Sequence, residues 1–129
     1  MIEKYHPQFR DDLLFMASIL GKKRFQEFLL QLDRAIVQVI KNPCKAARLK
    51  YAPLTGYRKK KFFSVARPRK KQRPDLRLIY RYVPAEKTIY FVAVGFRIAQ
   101  KPRNPHDVYQ RTRKRDLSFG KKETDSASS

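Results

Sequence analysis

Arginines recur at fixed positions in two stretches that otherwise read as β-strands, DLRLIYRYV (75–83) and TIYFVAVGFR (88–97). A guanidinium in a strand is costly unless its head reaches water, a partner or an anionic ligand. Side chains alternate across a strand, so Leu76, Leu78, Tyr80 and Tyr82 share one face while Arg77, Ile79 and Arg81 share the other. The Leu/Tyr set suits burial under helices, which leaves Arg77 and Arg81 on an uncovered face. Arg97 falls with Phe91, Ala93 and Gly95, where the small Ala93 and Gly95 leave room for a ligand. From Arg58 to Arg73 there are nine Lys/Arg and no acid. Arg58 and Lys60 alternate with Lys59 and Lys61, so at least two of these charges reach the open face in either register. The expected surface is a concave cationic floor, and a phosphate backbone is the ligand it binds best. Bidentate arginine contacts position phosphates, and counterion release supplies affinity.

Composition supports a polyanionic partner. The 129 residues carry 31 Lys+Arg against 11 Asp+Glu, a formal charge of +20, which attracts RNA, DNA, anionic membranes or acidic proteins. With 42% apolar and 12% aromatic residues the chain has enough to fold, and its length suits one domain. Its apolar runs, such as 89–95, are too short to span a bilayer, and MIEKYHPQF lacks the pattern of a signal peptide. One cysteine, Cys44, excludes an internal disulfide, and two histidines alone make no zinc site. A soluble cytoplasmic protein without metal or cofactor is expected.

The elements that must position these residues follow from periodicity. IEKYH reads as a first strand. Phe9, Leu13, Leu14, Met16 and Ala17 recur at helical spacing from Pro7 to about Ser18, and Gly21 breaks that pattern. Phe25, Phe28, Leu29, Leu32, Ile36, Val39 and Ile40 form a second helical stripe, stopped at Asn42-Pro43. KYAPLTG is a loop, RKKKFFSV a strand, ARPRKKQRP a basic loop, and PAEK the turn of a hairpin between the two arginine-bearing strands. HDVYQRTRKR reads as a short helix with Val108 and Tyr109 to dock. The expected architecture is α+β: a small, mainly antiparallel sheet of about four strands under an N-terminal two-helix hairpin, with a short C-terminal helix. Residues 1–115 form the domain, and 116–129 a polar, disordered tail.

Taken together, LDRAIVQVIKNP, YRKKKF, DLRLIYRY and VAVGFR…HDVYQR, in this order after an N-terminal strand and HPQF, resemble the RelE/ParE superfamily of toxins from type II toxin–antitoxin modules, within it the RelE-like mRNA endonucleases. The resemblance covers roughly residues 2–115. It implies the same α+β fold, a basic concave RNA-binding surface, a cognate antitoxin, and mRNA on the ribosome as target. It carries over one residue at a time: Arg77 onto the arginine at the scissile phosphate, Arg97 onto a second charge-stabilising arginine, and Tyr109 onto a C-terminal tyrosine that stacks on or orients the nucleotide. Arg58 and Lys60 match alternating lysines of the second strand to within one residue, and His106 lies where several subfamilies have a histidine. Two departures are the inserted ARPRKKQRP and IAQKPRNP, either of which can shift the site or enlarge the RNA surface.

Metal-independent RNA cleavage needs a base for the 2′-OH, an acid for the leaving 5′-oxygen, and cations at the phosphorane. Arginines suit the last task. A lysine among like charges has a lowered pKa and suits the first, which points to Lys60, or to Lys59 or Lys61. His106 and Tyr109 are the candidate acids, although capping and packing respectively are open to them. Arg58, Lys59, Lys61, Arg67, Arg69, Lys70, Lys71 and Arg73 are the expected nucleic-acid contacts. Arg81 can pair with Glu86, His6 ends a strand, and Asp11, Asp12 and Asp33 read as exposed helix charges. Two other functions stay open: a ParE-like inhibitor of DNA gyrase, and a basic nucleic-acid-binding protein without catalysis.

Overall fold

The computed structural model describes residues 1–98, 101 and 104–118. Five strands form one sheet: β1 (Ile2–Tyr5), β2 (Ala47–Arg48), β3 (Arg58–Phe62), β4 (Leu76–Val83) and β5 (Thr88–Phe96), in the order β1-β5-β4-β3-β2. The sheet is mixed: three of its four strand pairings are antiparallel, in line with the mainly antiparallel expectation, while one parallel pairing and a fifth strand go beyond it. β1 runs parallel to β5, pairing Ile2 with Thr88 through Tyr5 with Phe91, and the two-residue β2 adds an edge. The hairpin β4–β5 turns through a 3₁₀ segment, Pro84–Glu86, with Lys87 in the left-handed region at φ 51°.

The two expected N-terminal helices are joined in one long element, α1 (Phe9–Lys41), with a kink between them at the expected break. No loop intervenes: the break is Gly21 alone, at φ 76° and ψ 169°, a conformation open to glycine and strained for other residues. Most of the apolar stripe on both sides of the break is buried, but Leu14 and Leu29, expected within it, are exposed. Phe9, Met16, Leu20, Phe28, Leu32, Ala35 and Val39 pack with Leu76, Leu78, Tyr80, Ile89, Phe91 and Val94 of the sheet. Phe28 and Met16 are wholly buried, and truncation of a core Phe to Ala costs about 3–5 kcal/mol. No helix among the described residues is long and apolar enough to cross a membrane.

The face expected to be uncovered carries a second, smaller core. Tyr57, Ile79, Val92, Ala93 and Val108 are buried together there, with Leu49, Tyr109 and Leu117 against them. The cover comes from α2 (Val108–Arg113), which starts at Asp107, and from the 49–57 loop. Val108 fills the space above Gly95: a Cβ placed on that glycine would lie 3.5 Å from the valine's own. The room expected over Ala93 and Gly95 is therefore taken by the protein itself.

A β-bulge explains a further correction. Ile79 pairs with Ala93 but Tyr80 with Phe91, so Val92 is an extra residue on β5. The extra residue turns Phe91 to the helix-covered side while Val92 and Ala93 stay in the second core. Phe91 consequently does not share a face with Ala93 and Gly95.

β1 ends opposite Phe91, so beyond it the outer edge of β5 has no neighbouring strand. Two of its backbone groups are satisfied by side chains instead. Val94 N donates to Asp12 Oδ2 at 3.0 Å, and Val92 O accepts from Arg115 Nη1 at 2.8 Å. Asp12, expected to be an exposed helix charge, is only 1% exposed. It binds Arg115 through both guanidinium Nη atoms and Arg111 Nη2 at 2.9 Å. This buried cluster fastens α1, β5 and the segment following α2 to one another.

The segments before α1 and after α2 meet at His6, which is buried rather than merely ending a strand. Its Nδ1 accepts from Gln8 N and its Nε2 lies 3.0 Å from Asp116 O, which requires the proton on Nε2. Leu117 packs on the second core. Of the expected tail, 119–129 lie outside the described residues.

Candidate functional site

The second core does not cover the whole face. Beside it a cavity of about 460 Å³ remains, lined by Arg48, Lys50, Tyr51, Lys59, Arg77, Arg97, Tyr109 and Arg113, with Leu49 and Leu54 as its apolar wall. Six of these ten residues are cationic and none is acidic.

Arg77 reaches it from β4. It stands between Lys61 of β3 and Gly95 of β5 in the register, and Nη1 donates to Pro74 O at 2.9 Å and Leu76 O at 3.0 Å. Its Nε is buried without a hydrogen-bond partner among the described residues. Arg97 follows the end of β5, where its backbone N–H donates to Asp75 O. Its guanidinium lies 4.8 Å from the centre of the Tyr109 ring and donates through Nη1 to Asp107 Oδ1 at 2.9 Å. Tyr109 begins α2. Burial pushes its phenol up from 10.0, opposed by the charges of Arg77 and Arg97 and by a hydrogen bond to Arg77.

Asp107 is the residue that sequence reading passed over. It is fully buried and caps α2: Oδ2 accepts from Tyr109 N at 3.0 Å, while Oδ1 accepts from Ile98 N at 2.6 Å. One carboxylate thus fixes the helix that carries Tyr109 and the arginine stacked upon that ring. An Asp directly before a short apolar pair is an N-cap signal that was available in the sequence.

The lysines separate by strand parity. Lys59 pairs with Ile79 and faces the cavity. Its pKa lies below the usual 10.5, first because of burial and then because of Lys61, Arg77, Arg97 and Lys50. Lys60 pairs with Leu78, a helix-side core residue, and does not line this cavity. Arg58 is taken up by the fold, donating through Nη1 to Cys44 O at 2.9 Å and Ala46 O at 2.7 Å. Lys61 is exposed opposite Arg77.

His106 is also elsewhere. It stacks on Phe15 of α1 at 5.2 Å, on a ring whose neighbour is Arg111 at 4.4 Å. Arg67, Arg69, Lys70, Lys71 and Arg73 are exposed on the basic loop, and none lines the cavity. That loop is closed at its base by Ser64 and Asp75, bonded at 2.6 Å and 2.9 Å, and Ala66 N donates to Glu27 of α1. Arg81 lies over the Tyr90 ring at 5.2 Å, and it is Tyr90 that bonds Glu86. Arg48, Lys50, Tyr51 and Arg113 line the cavity without having been singled out from sequence: Lys50 and Tyr51 lie in a loop, and Arg48 and Arg113 end elements of two and six residues, too short to show a period.

Fold and site together define a small, strongly basic α+β protein whose mixed sheet carries a helix on one face and a cationic cavity on the other. Solved structures of similar fold include a YoeB/ParE toxin from Agrobacterium tumefaciens, 16% identical with a TM-score of 0.49 over 74% of this chain and 98% of the other. The intact E. coli RelBE toxin–antitoxin complex matches at 16% identity and a TM-score of 0.44, over 74% of this chain and 94% of that one. The conserved hypothetical protein HP0892 from Helicobacter pylori matches at 20% identity and 0.42, over 74% and 93%. No family model and no curated protein matches the chain.

Proposed function

We propose that this protein is a RelE-like toxin: a metal-independent endoribonuclease that cuts mRNA, with the ribosome as the setting and a cognate antitoxin as its inhibitor. The observation that carries the reading is the meeting of Arg77, Arg97, Lys59 and Tyr109 at one cavity. These groups supply what the reaction requires. Neutral Lys59 takes the proton of a 2′-OH, whose oxygen attacks the adjacent phosphorus. Arg77 and Arg97 hold the charge on the non-bridging oxygens. Tyr109, kept protonated by burial, donates to the departing 5′-oxygen, leaving a cyclic phosphate and a 5′-OH. DNA lacks the 2′-OH and is not cut. The partners are consistent with charge: rRNA and mRNA suit a chain of +20, and so does an acidic antitoxin segment.

The test is primer extension on an mRNA incubated with the protein, with and without translating ribosomes. New 5′ ends in wild type that vanish in Tyr109→Phe support the reading. The same ends in both proteins, or none in either condition, overturn it. Double-strand breaks trapped on supercoiled plasmid with gyrase would assign the alternative target.

Two further outcomes are expected. Raising the pH from 6 to 9 should increase cleavage, because the neutral fraction of Lys59 grows as the pH approaches a pKa below 10.5. Lys59→Met should slow cleavage by about 10²-fold and flatten that rise, measured as log kcat against pH. Tyr51 is 75% exposed at the cavity's rim and offers a ring for base stacking. Tyr51→Ala should weaken single-stranded RNA binding by about 1–3 kcal/mol in fluorescence anisotropy, for all four bases alike.

A further inference from the structure

A second cationic groove lies next to the first, and of the residues given a chemical role above only Lys59 lines it. It measures about 670 Å³ and runs between the C-terminal end of α1 and the β2–β3 edge. Lys41 and Lys45 line it from one side, Lys59, Lys60 and Lys61 from the other, with Gln38 and Asn42 between them and no acidic residue. None of the five lysines holds an ion pair among the described residues, where the ion pairs are those of Arg97, Arg111 and Arg115.

The groove exists because β2 is short. It pairs only with Arg58 and Lys59, so β3 from Lys60 onward has a bare edge, and three consecutive lysines of alternating direction surround it. Such a run on an edge strand blunts pairing with other chains. It also gathers charge where an unpaired backbone can approach a ligand. Lys59 lines this groove and the Arg77 cavity alike, so the two meet at that side chain.

We infer that the groove is the exit track for single-stranded RNA held in the Arg77 cavity, with Lys41 and Lys45 binding phosphates several nucleotides from the cut. The inference rests on the RNA reading of that cavity. The chemistry favours a sugar–phosphate chain. Lysines are point charges without the arginine fork, and they suit sequence-independent tracking of a backbone. The aromatic ring available for stacking, Tyr51, is at the cavity and not in the groove, whose Tyr80 is buried with its hydroxyl on Pro43 O at 2.7 Å. The cavity would hold nucleotides by their bases and phosphates, and the groove by phosphates alone.

The test uses 2′-O-methyl oligoribonucleotides of 4 and 14 nucleotides, which bind without being cut, titrated against the full chain across a series of salt concentrations. The slope of log Kd against log salt should be steeper for the 14-mer. Lys41→Gln with Lys45→Gln should reduce that slope by about 1.4 on the 14-mer and leave the 4-mer unchanged, since each single-strand phosphate contact contributes about 0.7. The pair Lys22→Gln with Lys23→Gln, exposed near Gly21, removes equal charge elsewhere and should leave both slopes unchanged. Equal slopes for both lengths overturn the track, as does an equal loss in the control pair. An acidic 14-residue peptide that outcompetes the 14-mer, and needs Lys41 and Lys45 to do so, assigns the groove to a protein and also overturns it. The cleavage reading fails separately. Cutting of natural RNA with unchanged slopes removes the track and keeps the nuclease, whereas length-dependent slopes without cutting keep the track and remove the nuclease.

Discussion

Replacing Arg77 with lysine should slow RNA cleavage by about 10²–10³-fold while RNA affinity changes only a few-fold. The reasoning turns on geometry, not charge. Lysine keeps the positive charge, and so most of the counterion-release term that dominates affinity. It loses the fork. In the structure one arm of Arg77, Nη1, is spent on two backbone carbonyls, while the same side chain bonds the Tyr109 phenol. A guanidinium anchored to its own strand is pre-organised and needs no reordering as charge develops on the phosphorane. An ammonium on a flexible stem cannot make both sets of contacts. Single-turnover kinetics with saturating protein would separate the two effects. A loss confined to affinity, with the cutting rate intact, would reduce Arg77 to a phosphate anchor.

Arg97 differs in an instructive way. Its charge is shared with the buried Asp107, so a phosphate in the cavity would meet a positive field already partly offset. Asp107 also caps α2 and is therefore fixed in place. Its carboxylate holds the guanidinium over the Tyr109 ring. Arg77 has no acidic partner among the described residues and is the stronger of the two electrostatic groups.

What the sequence shows of this site follows from alternation. Leu76, Leu78 and Tyr80 on one face and Arg77 on the other are legible because β4 obeys a period of two from end to end. β5 does not, and a bulge at Val92 has no signature when its neighbours are all apolar. That moved Phe91 to the other face. The unbroken apolar run 89–94 did carry a signal, since a strand buried on both faces reads as continuous hydrophobicity. It implied that the second face was covered and left little space for an open floor. For the lysines the choice between Lys59 and Lys60 is a one-residue register question. Four consecutive basic residues cannot decide it, and the pairing of Lys59 with Ile79 does. The direction of β1 was equally illegible, because periodicity reports faces and not polarity.

The ionic cluster around Asp12 lies beyond any local pattern, since its partners are 99 and 103 residues away. Asp12→Ala is expected to destabilise the protein by about 3–5 kcal/mol. The carboxylate is 1% exposed and Arg115's side chain 4%, so its removal leaves a buried guanidinium with a backbone carbonyl as its remaining acceptor. Val94 N loses its acceptor as well. The melting temperature should fall by about 10–20 °C, read by circular dichroism. Burying charges is costly in itself, so the double change Asp12→Leu with Arg115→Met should recover much of the loss, because the one cation it leaves without a carboxylate, Arg111, is 20% exposed and lies over the Phe15 ring. The two variants also separate stability from function. Arg115 follows α2 directly, and the cluster sets where that helix sits against β5. A double variant that is stable but cuts RNA slowly would mean that the ion cluster, beyond holding the fold, keeps Tyr109 at the cavity. A double variant as unstable as Asp12→Ala would place the energy in the lost hydrogen bonds of β5's open edge and not in the unpaired charge.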